Sequence, residues 1–199
     1  LKRVVGIFIF DGAEVLDFAG PFEVFSVASE LHDYRLFEVV TIAKEAAPVT
    51  AVNGLSVNPH HSFATAPKLD LLIIAGGSGT RALLQDQATL DWIDHTCDQT
   101  PLVASICSGA RLLGRLGFLD NKPYCTHHAV YEHMAELVPT GLPQPDFRFV
   151  ESNDNMYTSG GISAGIDLSF HLLEKLHGPQ VADTTAGYME YLRLSHERV

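Results

Sequence analysis

PLVASICSGARLL, residues 101–113, is the stretch whose reading decides the architecture. Residues 101–106 form a short apolar strand. A helix follows at once, with Leu112, Leu113 and Leu116 on one face. Cys107, Ser108 and Gly109 stand at the junction. The strand ends rigidly and the turn projects the thiol. The free N–H groups and positive dipole end of the helix then favour thiolate over thiol. The same strand–turn–helix device exposes serine nucleophiles in hydrolases. A buried structural cysteine is the competing reading, because free cysteine is among the most buried residue types.

Working outward, the same alternation repeats. VVGIFIF (residues 4–10) is a nearly continuous apolar run, suited to a strand covered on both faces. Asp11-Gly12 turns the chain, and residues 16–31 read as a helix interrupted by Gly20-Pro21. That helix either kinks there or starts at Pro21. Residues 37–43 are a second strand, residues 49–58 a hairpin about Asn53-Gly54, and residues 69–75 a buried strand closed by Gly76-Gly77-Ser78-Gly79. Residues 82–97 have helical spacing. Beyond the cysteine, residues 124–128 are extended, 129–137 helical, and 141–145 a proline-rich loop. Residues 147–150 and 155–158 flank a second hairpin turn. A helix over 163–177 takes Ser163 as its N-cap, and another runs over about 180–192. Strands alternating with helices over residues 1–199 predict one α/β domain, a mainly parallel sheet with helices on both faces. Its ligand crevice lies at the carboxyl ends of the strands, where residues 11–17, Gly76 to Gly79 and Cys107-Ser108 converge.

Composition narrows the function classes. With 46% hydrophobic and 19% charged residues, the 199-residue chain is globular rather than disordered. A net charge of -11 argues against sequence-independent nucleic-acid binding, which needs clustered cations. No apolar run reaches bilayer length, and no signal-peptide pattern opens the chain, so no membrane partner is expected. Three cysteines without CxxC spacing suit a reducing cytoplasm better than a disulfide framework.

Several residues can carry chemistry at that crevice. Asp17 and Glu14 follow the first strand closely enough to hold or donate a proton beside a cysteine, and an apolar setting raises a carboxyl's pKa toward a useful value. Each also suits the first turn of a helix as a plain capping charge. Gly76 and Gly77 permit close backbone approach, with N–H groups aimed at developing negative charge, or simply a tight turn. The glycine run lacks a phosphate-loop lysine. Ser108 offers an amide and a hydroxyl to substrate, or caps its helix. His127 or His128 can complete a Cys–His pair, but adjacent strand residues face opposite ways, so only one serves. His60-His61 read as surface. The spacing of His127, His128 and His133 is poor for zinc, and no metal is expected. Cys97 and Cys125 read as structural.

Taken together, FDGAEVLDFAGPFEVF, IIAGGSG, ICSGARLLGRLGFLD followed by THH, and TSGGISAGIDLSFHLL resemble the ThiJ/PfpI superfamily, with its class I glutamine amidotransferase-like fold. The chain is most similar to the isonitrile hydratase branch, also seen as the amidase-like half of AraC-type regulators. The resemblance covers roughly residues 4–192. It implies a flavodoxin-like three-layer α/β/α sandwich, a homodimer, a nucleophile-elbow cysteine at Cys107 and a carboxylate partner at Asp17. It also implies Ser108 where that branch has threonine, and His127 in the histidine segment, with His128 replacing tryptophan. The implied activity is hydration of a small-molecule isonitrile to an N-substituted formamide, without cofactor. A glyoxalase or deglycase activity on small carbonyl compounds is the enzyme alternative. A ligand or redox sensor is the non-enzymatic one, against which no helix-turn-helix or basic surface is read. Peptidase relatives carry Cys–His at the elbow, which Cys107-Ser108 does not match.

Overall fold

The computed structural model describes residues 1–193. Its centre is a seven-stranded sheet assembled from apolar runs that are buried on both faces. β1 (Arg3–Phe8) lies between β2 (Phe37–Ala43) and the later strand β6 (Leu71–Ile74), parallel to both. A two-residue antiparallel ribbon, β3 (Val49–Thr50) with β4 (Ser56–Val57), forms the expected hairpin, and Asn53 and Gly54 take the left-handed conformation its turn requires. β5 (His61–Ser62) closes one sheet edge beside β2. On the other side, β7 (Leu102–Ile106) pairs in parallel with β6. A short pair, β8 (Pro123–Tyr124) with β9 (Leu142–Pro143), stands apart from the main sheet; the predicted proline-rich loop supplies β9. β10 (Phe149–Asn153) and β11 (Met156–Ser159) finish the main sheet. They form the second predicted hairpin and bring its antiparallel edge. The order is β10-β11-β7-β6-β1-β2-β5.

Helices cover both faces, giving the three-layer flavodoxin-like α/β/α sandwich. α1 (Val15–Glu30), α6 (Ala164–His177) and α7 (Pro179–Tyr188) pack together on one side. α2 (Thr80–Leu83), α3 (Gln87–Gln99), α4 (Ala110–Arg115) and α5 (Tyr131–Leu137) cover the other. No helix among the described residues is long and apolar enough to cross a membrane.

Local sequence explains where helices depart from expectation. α1 runs straight through Pro21, which settles the choice between a kinked helix and a later start. Proline forfeits the bond to the Asp17 carbonyl. Gly20 compensates through packing: a Cβ there would lie 2.9 Å from Ile166 Cγ1 on α6. The single helix predicted over 82–97 is two, because Asp86 is extended and its carboxylate is held by Lys44 Nζ at 2.8 Å and by Thr89 Oγ1 at 2.9 Å. Residues 128–130 form a 3-10 turn ahead of α5. Ser163 does not cap α6: its own dihedrals are helical, and its hydroxyl accepts from Arg148 instead. α7 stops at Tyr188, short of the predicted 192, since Glu190 turns left-handed and Tyr191 N–H donates back to Ala186 O. His60 is surface-exposed as expected, although Thr41 hydrogen-bonds it and Phe22 stacks on it.

Adjacent strands β1 and β6 leave the sheet toward different helices, which opens a crevice at their carboxyl ends. Backbone contacts fasten the two exits. Ala13 bridges Gly77, Glu14 N–H donates to Gly76 O at 2.8 Å, and Gly79 N–H donates to Gly12 O. Gly77 has φ +129, and a Cβ there would stand 2.2 Å from Gly12 O, so only glycine fits.

Candidate active site

Cys107 sits where β7 ends, in a left-handed conformation (φ 56) that costs a non-glycine residue about 1 kcal/mol. Bonds on both sides hold it there. Its N–H donates to Gly160 O at 3.1 Å, and its carbonyl accepts from Thr126 Oγ1 at 2.8 Å. A 3-10 turn over Cys107–Gly109 leads into α4. This is the sharp strand-to-helix bend that the sequence pattern predicts.

Asp17 approaches from the first turn of α1. It is fully buried, and its carboxylate does not cap its own helix; Oδ2 accepts the Gly76 N–H at 2.9 Å. Oδ1 is buried with no aligned donor, while the Cys107 thiol and the Ile162 N–H come up against the carboxyl. Gly76 makes this meeting possible. A Cβ at that position would lie 2.6 Å from Ser108 N and 2.8 Å from both Asp17 Oδ2 and Cys107 Cβ.

Burial raises Asp17 to about 7, with the nearby Glu14 charge adding to it against the Gly76 hydrogen bond. Burial also pushes the Cys107 thiol up to about 12, and the Asp17 charge adds to that; the Ser108 and Ile162 amides act the other way. The expectation of a thiolate favoured by its helix is therefore corrected. α4 begins three residues later and is short, whereas the sulfur is largely buried and faces a carboxyl.

The fate of the other expected residues is mixed. Ser108 lies at the site, but its hydroxyl is already engaged: it accepts from Gly77 N–H at 2.8 Å and donates to Gly77 O at 3.0 Å, with Thr80 Oγ1 beside it. The Gly76 and Gly77 amides are thereby committed to Asp17 and Ser108, which removes both from the donor set proposed for substrate. Ser108 N–H and Ile162 N–H are the amides that face the sulfur. His127 lines the pocket, yet its Nδ1 accepts from Ala129 N–H at 3.2 Å, and it forms no hydrogen bond to Cys107. His127 and His128 do not face opposite ways; their rings stand 4.1 Å apart, because a 3-10 turn replaces the strand. No cluster of three or more metal-binding side chains occurs among the described residues. Cys97 and Cys125 are buried, as structural cysteines should be.

Cys107, Ser108, Glu14, Gly77, His127, Arg111 and their neighbours line an open pocket of about 250 Å³. Two wall residues escaped the sequence reading. Ile162, a β-branched residue at φ 54, follows Gly160-Gly161 just ahead of α6. Arg111 lies inside the opening stretch but was hidden among its leucines.

The Asp17 environment has a measurable cost. Between pH 3.8 and about 7 the folded protein keeps a proton on Asp17 that the unfolded chain has released. Stability therefore falls as pH rises through that window, and the full penalty is present above it. Asp17→Asn keeps an oxygen for Gly76 N–H and removes the charge. It is expected to stabilise the fold at about pH 8 by up to roughly 4 kcal/mol, and to change little near about pH 4. Paired urea melts at the two pH values check this; equal shifts at both would contradict it.

The DJ-1/PfpI family model matches residues 2–175. Isonitrile hydratase from Pseudomonas putida is 33% identical over 187 residues, covering 94% of this chain and 78% of that protein. The HTH-type transcriptional regulator GbdR of Pseudomonas aeruginosa is 25% identical over 195 residues, which is 98% of this chain but 52% of the regulator, so the chain spans about half its length. A crystal structure of a ThiJ/PfpI family protein from Pseudomonas syringae superposes with a TM-score of 0.85 at 26% identity, covering 96% of this chain and 76% of that one.

Proposed function

Since the chain belongs to the DJ-1/PfpI family, we propose that it hydrates an isonitrile, R–N≡C, to the formamide R–NH–CHO through Cys107. One contact carries the proposal: a buried carboxyl with its pKa near 7 set against the elbow thiol at the floor of a small pocket. The 33% identity to an isonitrile hydratase supports the same chemistry.

The proton has to move with the sulfur. Burial and the Asp17 charge both make the thiol hold its proton more tightly than Asp17 does, so forming thiolate first is uphill and leaves little of it free. Ionised Asp17 therefore accepts the Sγ proton as the S–C bond forms at the terminal isonitrile carbon, then delivers that proton to the same carbon. The product of this step is a thioimidate, R–N=CH–S–Cys107. Water adds to its carbon while Asp17 takes a water proton and returns it to nitrogen. Collapse breaks the C–S bond, restores the thiol with the remaining water-derived hydroxyl proton, and releases the formamide. The Ser108 and Ile162 amides stabilise charge on sulfur as it attacks and leaves.

The test is conversion of cyclohexyl isocyanide to N-cyclohexylformamide by the purified protein, with lactate formation from methylglyoxal as the competing assay. Formamide production supports the proposal; lactate production without it would replace the hydratase with the carbonyl-directed alternative. The near-complete alignment with a regulator favours a second reading, a ligand-sensing domain. Saturable ligand binding with no turnover of either compound would select that one.

A further inference from the structure

We propose that the pocket selects substrates bearing a carboxylate, which Arg111 holds; this rests on the hydratase reading for its reaction and narrows the substrate to a small isocyano acid. Arg111 is the second residue of α4 and lies four residues after Cys107 in the chain. Sulfur and guanidinium line the same pocket.

Arg111 is only 3% exposed. Its Nε–H donates to His133 Nδ1 at 3.0 Å and an Nη1–H donates to Thr80 Oγ1 at 3.1 Å. Both acceptors are uncharged. Nη2 has no acceptor among the described residues, and no carboxylate among them forms an ion pair with this side chain. The charges acting on it are the Arg81 cation, which opposes it, and the Cys107 sulfur, which would favour it if ionised. Arg81 is exposed and lines the same pocket. Burying a guanidinium without a counter-ion costs several kcal/mol. The chain has 24 acidic residues against 13 basic ones, and Glu14 lines the same pocket, yet no carboxylate among the described residues is paired with Arg111.

A ligand carboxylate supplies that counter-ion. Its two oxygens match the planar edge of a guanidinium that lines the pocket and keeps N–H groups beyond those given to His133 and Thr80. A pocket of about 250 Å³ holds only a small acid. Cys107 and Arg111 lining one small pocket suits a carboxylate close to the isocyano group, as in isocyanoacetate.

The experiment measures binding apart from turnover. In Cys107→Ala, calorimetric titration compares N-formylglycine, the hydration product of isocyanoacetate, with neutral N-formylglycinamide. The acid is expected to bind at least about tenfold more tightly than the amide. Arg111→Met should abolish the difference and Arg111→Lys should reduce it, each in the Cys107→Ala background. The lysine variant serves if the methionine variant does not fold. Equal affinities, undetectable binding of the acid, or a preference that both Arg111 variants leave intact overturns the inference. In the wild type, isocyanoacetate should show a higher kcat/KM than methyl isocyanoacetate. If neither isonitrile reacts while the acid preference and its Arg111 dependence hold, the hydratase reading fails and the carboxylate site stands.

Discussion

Cys107→Ala is expected to lower cyclohexyl isocyanide hydration by about 10⁴-fold or more, which corresponds to roughly 5.5 kcal/mol of lost transition-state stabilisation. The proposed attack relies on the Cys107 thiol, set beside a carboxyl of suitable pKa; without it, water would have to attack a poorly electrophilic carbon with no covalent help. Alanine keeps the left-handed backbone at position 107 at no greater steric cost, and both flanking bonds, to Gly160 O and from Thr126 Oγ1, involve main-chain atoms that survive the change. The variant should therefore melt close to wild type, which separates chemistry from folding. Initial rates of formamide formation, read by chromatography beside thermal melts, give the comparison. Retention of more than about a tenth of the wild-type rate in a folded variant would remove covalent catalysis from the mechanism.

Asp17→Asn should cost about 10²- to 10⁴-fold in kcat and change the pH profile, the more diagnostic of the two effects. In the proposed cycle Asp17 must be ionised to receive the thiol proton. With its pKa near 7, wild-type kcat/KM is expected to rise with pH to a plateau above that value and to fall about tenfold per unit well below it. The residual activity of Asp17→Asn should lack that limb. A limb that persists in the variant would assign the titration to another group; His127, whose pKa burial and His128 both lower, is then the candidate at the pocket wall. Asp17→Asn should be the more stable and the less active protein at neutral pH. A buried carboxyl kept for its proton affinity produces that opposition.

Much of the fold was readable because its signals are local. Apolar runs at 4–10, 69–75 and 101–106, each followed by small residues and a helical pattern, can bury both faces only inside a helix-covered parallel sheet. That same rule placed residues 11–17, Gly76-Gly77 and Cys107 at one crevice, and those loops do meet. What failed locally was end chemistry. Ser163 reads as a cap until Arg148 takes its hydroxyl, and residues 82–97 read as one helix until Lys44, far away in sequence, pins Asp86.

The chain by itself determined the alternation of strands and helices and brought residues 11–17, Gly76 to Gly79 and Cys107 to one crevice, since periodicity and turn residues act over a few neighbours; the resemblance to a family singled out Asp17 as the partner of Cys107. Only the tertiary structure decided the protonation of that pair, the engagement of the Ser108 hydroxyl by Gly77 and the isolation of the Arg111 cation. Each depends on which groups from distant segments exclude water from, or offer hydrogen bonds to, a given atom. Solvation and partner geometry are properties of three-dimensional surroundings, and residue spacing along the chain does not encode them in a form that can be read locally.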